Sequence, residues 1–226
     1  MTNRRYIVGI TGASGALYAK RVITEILRAG HECHLCITPF GHRLLHDELG
    51  LESVSGEGLA ALADLPAGAD PRRHGLIYHA TRDVGAPIGS GSFRHDGMVV
   101  VPCSSRSLNT IAHGVGETLV ARAANVALKE RMKLIIAHRE APLTLIDLRA
   151  METLALCGAI ICPCNPGLYL LPRTVGEIVD FVAGRLLDLL GVEHGLKVRW
   201  EDHLVGGDER KVAGEGAGDL GSLSGD

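Results

Sequence analysis

Short apolar runs and amphipathic stretches alternate along the whole chain. Tyr6 to Ile10, Glu32 to Ile37, Met98 to Val101, Lys133 to Ala137 and Ala159 to Cys162 have strand length and are rich in Val and Ile, as strands buried on both faces of a parallel sheet are. From Gly15 to Ala29, Tyr18, Val22 and Ile26 and then Ala19, Ile23 and Leu27 recur at helical spacing. Lys20, Thr24 and Arg28 lie opposite, and Gly30 is the stop. Strand, helix, strand repeated in this way predicts an α/β fold: a Rossmann-like, doubly wound parallel sheet with helices on both faces and right-handed crossovers. The pattern leaves strand order open.

Two stretches depart from it. Leu65 to His74 is a loop rich in Pro, Gly and charge, and from Val205 to Asp226 nearly everything is Gly, charged or small. The expectation is a single domain over 1–204 with a disordered tail over 205–226. At 226 residues, 46% hydrophobic and 22% charged, the chain has enough apolar side chain for one sizeable core. A formal charge of -3 offers no positive field for a nucleic acid backbone. Glycines interrupt the N-terminal stretch, so it lacks the apolar core of a signal peptide, and no apolar run is long enough to span a bilayer. The reading is cytoplasmic, with no membrane partner and with six cysteines kept as free thiols inside apolar runs such as Cys33, Cys36, Cys157 and Cys162.

In such a sheet, ligands bind beyond the carboxyl ends of the strands. After the first strand comes Thr11-Gly12-Ala13-Ser14-Gly15-Ala16, a glycine turn opening a helix, where backbone N–H groups suit an anionic ligand or the glycines serve tight packing alone. The spacing is not that of a dinucleotide site. The second strand also ends Ile37-Thr38-Pro39, without the acidic residue that holds a ribose, which ranks a nicotinamide dehydrogenase last. After the third apolar run, Ser104, Ser105, Arg106 and Ser107 set hydroxyls and a guanidinium at the sheet's mouth, for a phosphate or for helix capping. His138-Arg139-Glu140 follows the fourth, where a surface salt link is the plain alternative.

Thr174 and Glu177 make a capping box for a helix whose apolar face is Ile178, Val182, Leu186 and Leu189. Arg185 falls on that face or its border, which predicts a buried guanidinium paired with a carboxylate or with a ligand phosphate. In the helix near Glu117 to Lys129, Thr118, Arg122, Asn125 and Lys129 form a polar stripe, facing solvent or a neighbouring subunit. The metal look-alikes fail on geometry: His31 to Cys36 lies on a strand whose alternate side chains diverge, His42 and His46 lack the intervening Glu, and Cys162-Pro163-Cys164 lacks redox spacing. No metal is expected.

With those residues in view, the chain resembles the UbiX/Pad-type flavin prenyltransferases from Arg5 to about His203. The likeness rests on Val8 to Ala16, Gly89 to Phe93, Val101 to Ser104, Arg122 to Arg131, Arg139 to Leu143 and Pro166 to Tyr169, in that order. The resemblance implies a flavodoxin-like sheet, trimers within a homododecamer, and FMN as the cofactor. It implies transfer of a dimethylallyl group from dimethylallyl monophosphate to N5 and C6 of reduced FMN, the product, prenylated FMN, serving a UbiD-type decarboxylase. Carried over by motif, Gly12, Ala13, Ser14, Thr38, Ser104, Ser105, Arg106, Ser107 and Arg139 bind FMN, and Tyr169 and Arg185 bind the prenyl phosphate. Glu48, Arg122, Lys129 and Glu140 complete the catalytic site across subunits. Pro39, Phe40 and Leu168 depart from the family pattern. The competing readings are an FMN-dependent decarboxylase of cysteine-type thiols, whose serine loop reads P-A-S-A-N-T where this chain has Pro102 to Ser107 as PCSSRS, and a flavin carrier subunit without catalysis.

Overall fold

The computed structural model describes residues 3–196. The tail expected over 205–226, and the end of the domain assigned to 1–204, lie outside the described residues. Six parallel strands, β1 (Arg5–Ile10), β2 (Glu32–Ile37), β3 (Leu76–His79), β4 (Gly97–Cys103), β5 (Leu134–His138) and β6 (Ile160–Ile161), lie in the order β3-β2-β1-β4-β5-β6. Against one face pack α1 (Ala16–Arg28), α2 (Pro39–Leu49), α3 (Gly56–Leu62) and α7 (Val175–Leu190). Against the other pack α4 (Ser105–Ala112), α5 (Leu119–Lys129) and α6 (Leu145–Leu156). The doubly wound, Rossmann-like sheet is the one that the alternating pattern predicts.

The alternation of side chains along each central strand builds both layers. Tyr6, Val8 and Ile10 of β1 join Leu35, Val99 and Ile135 on the α1/α7 side, and Ile7 joins Met98, Val100 and Ile136 on the α5 side, all fully buried. The strand order reverses between β1 and β4, so the two chains leaving these strands diverge and open a crevice. Thr11 stitches its floor. The buried Thr11 hydroxyl donates to Pro102 O at 2.8 Å and accepts from Ser104 N–H at 2.8 Å, fixing the two strand ends against each other.

Three local expectations change. β3 was missing from the apolar pattern because it is a short edge strand in which only Leu76 is fully covered, so it carries no two-sided apolar run. The loop before it closes with a 3-10 turn at Pro71–His74, capped by Asp70. At α7 the Thr174 hydroxyl accepts from Glu177 N–H at 3.2 Å as a cap should, but the Glu177 carboxylate turns to Arg173 N–H, one residue before the position that a capping box requires. All six cysteines are free, yet Cys157 is exposed where α6 ends rather than held in an apolar run.

Burial leaves the fold sensitive to acid. Desolvation holds His42, His79, His95 and His138 below the ordinary imidazole value, and burial together with the neighbouring His79 lowers His34 to about 4. These groups charge at ~6.5 in the unfolded chain but later in the fold, so their contribution is present above that value and is lost as pH falls. Stability is expected to be flat above about pH 7 and to decline between ~6.5 and about 4, with His34 alone worth on the order of 2 kcal/mol. Urea unfolding at pH 7.5 and pH 5 checks this. Equal midpoints and slopes at the two pH values would contradict it.

Candidate active site

The crevice above β1 and β4 holds a cavity of about 390 Å³, within the range of small-molecule sites. Its polar side is built by α4, whose N-cap Ser104 accepts from Ser107 N–H, with Arg106, Ser107 and Thr110 on the exposed turns. Its apolar side is Pro39 and Phe40 from the start of α2 and Val120 and Ala121 from α5. Gly12 and Thr38 close the strand ends, and Glu117 and Thr118 close the far rim. Thr38 holds its place by capping α2, its hydroxyl accepting from Gly41 N–H at 3.1 Å. Gly12 is required by close approach: a Cβ there would lie 2.4 Å from the Phe40 Cβ. Phe40 keeps a 60% exposed ring over the crevice, with the Arg106 guanidinium 5.7 Å above it.

The glycine turn does something other than what its sequence suggests. The N–H groups of Gly15 and Ala16 at the start of α1 donate to the Glu48 carboxylate at 3.0 and 2.8 Å, so the chain's own side chain takes the anion position. Burial pushes the Glu48 carboxyl up, but the Ser14 hydroxyl, those two N–H groups and the charge of Arg139 outweigh it and hold the group below the ordinary value. Arg139, just past β5, donates from Nε to Ser14 O at 3.0 Å and so bridges the β1 turn and the β5 end. Ala13 is buried beneath this turn, and Ser14 is exposed beside it.

Thus Gly12, Thr38, Ser104, Arg106 and Ser107 gather in one cavity, while Ser14, Glu48 and Arg139 form a separate linked group outside its lining. Ser105 is turned away from the cavity. Its hydroxyl lies 3.2 Å from Nε2 of His138, behind the serine loop. Glu140 is exposed on the loop after β5, its carboxylate accepting from Ala141 N–H at 3.2 Å. Tyr169 packs edge to face on Phe181 of α7, with ring centroids 5.5 Å apart.

Arg185 overturns the expectation of burial. Its side chain is 50% exposed and pairs with Asp188 at 3.3 Å, because the buried stripe of α7 runs through Val182, Ala183, Leu186 and Leu187 and leaves Arg185 outside it. Its charge reaches the half-buried Cys162 beyond β6, opposing the upward push of burial on that thiol. Arg122 and Lys129 lie elsewhere, with Asn125 in a groove of about 720 Å³ between α5 and the Gly89–Gly91 turn, where Arg122 Nε donates to Gly89 O at 3.1 Å. The sheet separates α5 from α7, so within one copy Arg122 and Lys129 cannot join Arg185. Phe40, Thr110, Glu117, Val120 and Ala121 line the cavity without having stood out as ligand positions. The one usable signal was Phe40, an aromatic two residues after the strand-end hydroxyl of Thr38.

The family described as Flavoprotein matches residues 1–187. The chain is 41% identical over 195 residues, 86% of its length, to a flavin prenyltransferase UbiX of Halalkalibacterium halodurans, of which the match covers 92%. Among solved structures it superposes on AnUbiX in complex with FMN and dimethylallyl pyrophosphate with a TM-score of 0.76 at 35% identity, covering 88% of this chain and 98% of that one. It superposes on a dodecameric FMN-dependent UbiX-like decarboxylase from Escherichia coli O157:H7 with a TM-score of 0.75 at 38% identity, covering 87% and 98%.

Proposed function

Since the chain belongs to the UbiX-type flavin prenyltransferases of the Flavoprotein family, we propose that it transfers a dimethylallyl group from dimethylallyl monophosphate to N5 and C6 of reduced FMN. The observation that carries this reading is the crevice at the β1/β4 switch point, where Gly12, Thr38, Ser104, Arg106 and Ser107 meet around one cavity. Its chemistry fits FMN. Hydroxyls and a guanidinium at one side suit a phosphate, and Phe40, Pro39 and Val120 on the other suit a flat aromatic ring system. Because Glu48 occupies the N-terminus of α1, the flavin phosphate falls to Ser104, Arg106 and Ser107 of the α4 turn. Ala13, Ser14, Thr38 and Arg139 complete the binding set, and Ser105 supports it from behind.

Reduced FMN, when bound, supplies the nucleophilic positions. The protein's part is to hold the donor phosphate, shield the allyl group and move a proton. Tyr169 and Arg185 receive the phosphate, and charge-assisted hydrogen bonds to it grow stronger as the allylic C–O bond breaks and charge gathers on the departing oxygens. Arg122 and Lys129 of a second copy add to this cluster, since the sheet keeps them from reaching it within one copy. The site is therefore complete only in the oligomer, which we propose to be trimers within a homododecamer. The apolar walls exclude water that would otherwise capture the allyl group. Glu140 holds the proton that leaves C6.

In our reading the product serves a UbiD-type decarboxylase, and six unpaired cysteines accord with a cytoplasmic location. No helix among the described residues is long and apolar enough to cross a membrane. Anaerobic incubation with reduced FMN and dimethylallyl monophosphate should release inorganic phosphate. Carbon dioxide from a peptide ending in cysteine, without phosphate release, would favour the decarboxylase reading. Binding of FMN with neither reaction would favour the carrier.

Gly12→Val tests the cavity itself. The added side chain must displace Phe40, whose Cβ and backbone carbonyl carbon lie 2.4 and 3.3 Å from the new Cβ. An overpacking cost of ~1–3 kcal/mol at the cavity wall should weaken FMN binding by about 5- to 150-fold. Isothermal titration checks it, and an unchanged Kd would place the flavin elsewhere.

A further inference from the structure

Behind the serine loop lies a buried polar network that the transfer reaction, as derived above, does not use. The Ser105 hydroxyl opens α4 and lies 3.2 Å from Nε2 of His138, the last residue of β5. Asp147, in the first turn of α6, is held below the ordinary carboxylate value chiefly by Thr144, with Ser105 and Asn109 adding to it. Asp147 accepts from Asn109 Nδ2 at 3.2 Å and from the Thr144 hydroxyl and N–H at 2.6 and 3.1 Å. His138 is 2% exposed and Asp147 3% exposed.

Serine, histidine and aspartate together suggest a nucleophile, but their order here is wrong for one. In a hydrolytic triad histidine stands between the other two and takes the serine proton. Here serine stands between. One direction suits this line: His138 Nε2–H donates to Ser105 Oγ, which leaves the Ser105 O–H to favour the Asp147 charge. The network thus acts as a strut. It joins the flavin-facing turn of α4 to the segment that carries Arg139 and Glu140, and anchors both on the capped end of α6.

We propose that His138 and Asp147 are positioning residues for Arg139 and Glu140, acting through Ser105, and that the charge on His138 sets the acid limb of the reaction. This rests on the reading that Glu140 works at the flavin. The groups facing His138 are Asp147 from α6, Glu140 and Arg139 from its own segment, Cys103 paired with it from β4 and Cys164 after β6. Burial keeps both thiols protonated. Desolvation opposes the imidazolium, Asp147 and Glu140 favour it and Arg139 opposes it, leaving His138 below its ordinary value. Below that value His138 becomes a cation next to Arg139 and repels it, displacing the segment that carries Arg139 and Glu140.

The test pairs histidine NMR titration of FMN-free protein with the pH profile of kcat for wild type, Asp147→Asn and His138→Gln. The amide of Asp147→Asn keeps an acceptor for the Thr144 cap while losing the charge that favours imidazolium. The His138 midpoint should fall by about one pH unit, and the acid limb of kcat should fall with it. In His138→Gln that limb should disappear while KM for FMN stays within about twofold, a split that a merely structural role, lowering both together, does not give. If Asp147→Asn does not fold, His138→Gln alone decides. An acid limb retained in His138→Gln, or unmoved in Asp147→Asn while the His138 midpoint shifts, overturns the proposal. A wild type that binds FMN but transfers no prenyl group overturns the reading of the site instead, and the positioning role falls with it.

Discussion

Glu140→Gln should bind reduced FMN and dimethylallyl monophosphate with near wild-type affinity and transfer the prenyl group ~10²–10⁴-fold more slowly, the usual worth of a positioned acid/base group. The side chain stands exposed on the loop after β5, where Oε1 accepts from Ala141 N–H at 3.2 Å. A glutamine keeps that acceptor and the shape of the loop but cannot take a proton. The two effects therefore separate cleanly. Single-turnover measurement under anaerobic conditions reads the chemical step directly, and equilibrium titration reads binding. Wild-type turnover by the variant would remove Glu140 from the catalytic set and leave the phosphate oxygens as the base.

Arg185→Leu carries the second large effect. Each charge-assisted hydrogen bond to a phosphate is worth about 1.5–3 kcal/mol, so binding of dimethylallyl monophosphate should weaken by roughly 10- to 150-fold or more. FMN affinity should not change, because Arg185 sits on α7, on the opposite face of the sheet from the α4 turn that we assign to the flavin. Nor should stability. The Arg185–Asp188 pair is exposed, such pairs contribute about 0–1 kcal/mol, and Asp188 keeps His194 at 3.3 Å. Equal loss of FMN and prenyl phosphate binding, together with a lowered Tm, would mean that Arg185 serves the fold.

What could be read from the sequence follows what each position must satisfy. The bounds of β2 were legible to the residue, because a strand buried on both faces carries apolar side chains at successive positions, as Leu35, Cys36 and Ile37 do, where a half-buried strand alternates. β3, an edge strand with one fully covered residue, left no such trace. The strand-end positions Gly12, Thr38, Ser104, Arg106 and Ser107 were legible because an open sheet puts its crevice at those ends. Side-chain direction was not. Ser105 sits in the same run as its neighbours and faces the opposite way, because the first turn of a helix rotates successive side chains by about 100°. The periodicity of α7 placed Arg185 at the border of an apolar face, and two adjacent buried positions, Leu186 and Leu187, moved that border. Glu48 was invisible as a cap for α1, since it comes from another helix 32 positions away in the chain. Of the polar network, Ser105 stood out in the sequence as a candidate flavin ligand, and His138 only as part of the strand-end run His138-Arg139-Glu140. His138, Asn109, Thr144 and Asp147 are residues that any surface carries, and only their convergence gives them meaning.

The central proposal is that the β1/β4 cavity receives FMN and that the protein delivers a prenyl group to it. Mass spectrometry of the flavin recovered after anaerobic incubation of the protein with reduced FMN and dimethylallyl monophosphate tests both halves at once. The expected product is a flavin heavier by one prenyl unit, formed only when protein and both substrates are present. Recovery of unmodified FMN from protein that has bound both substrates would contradict it.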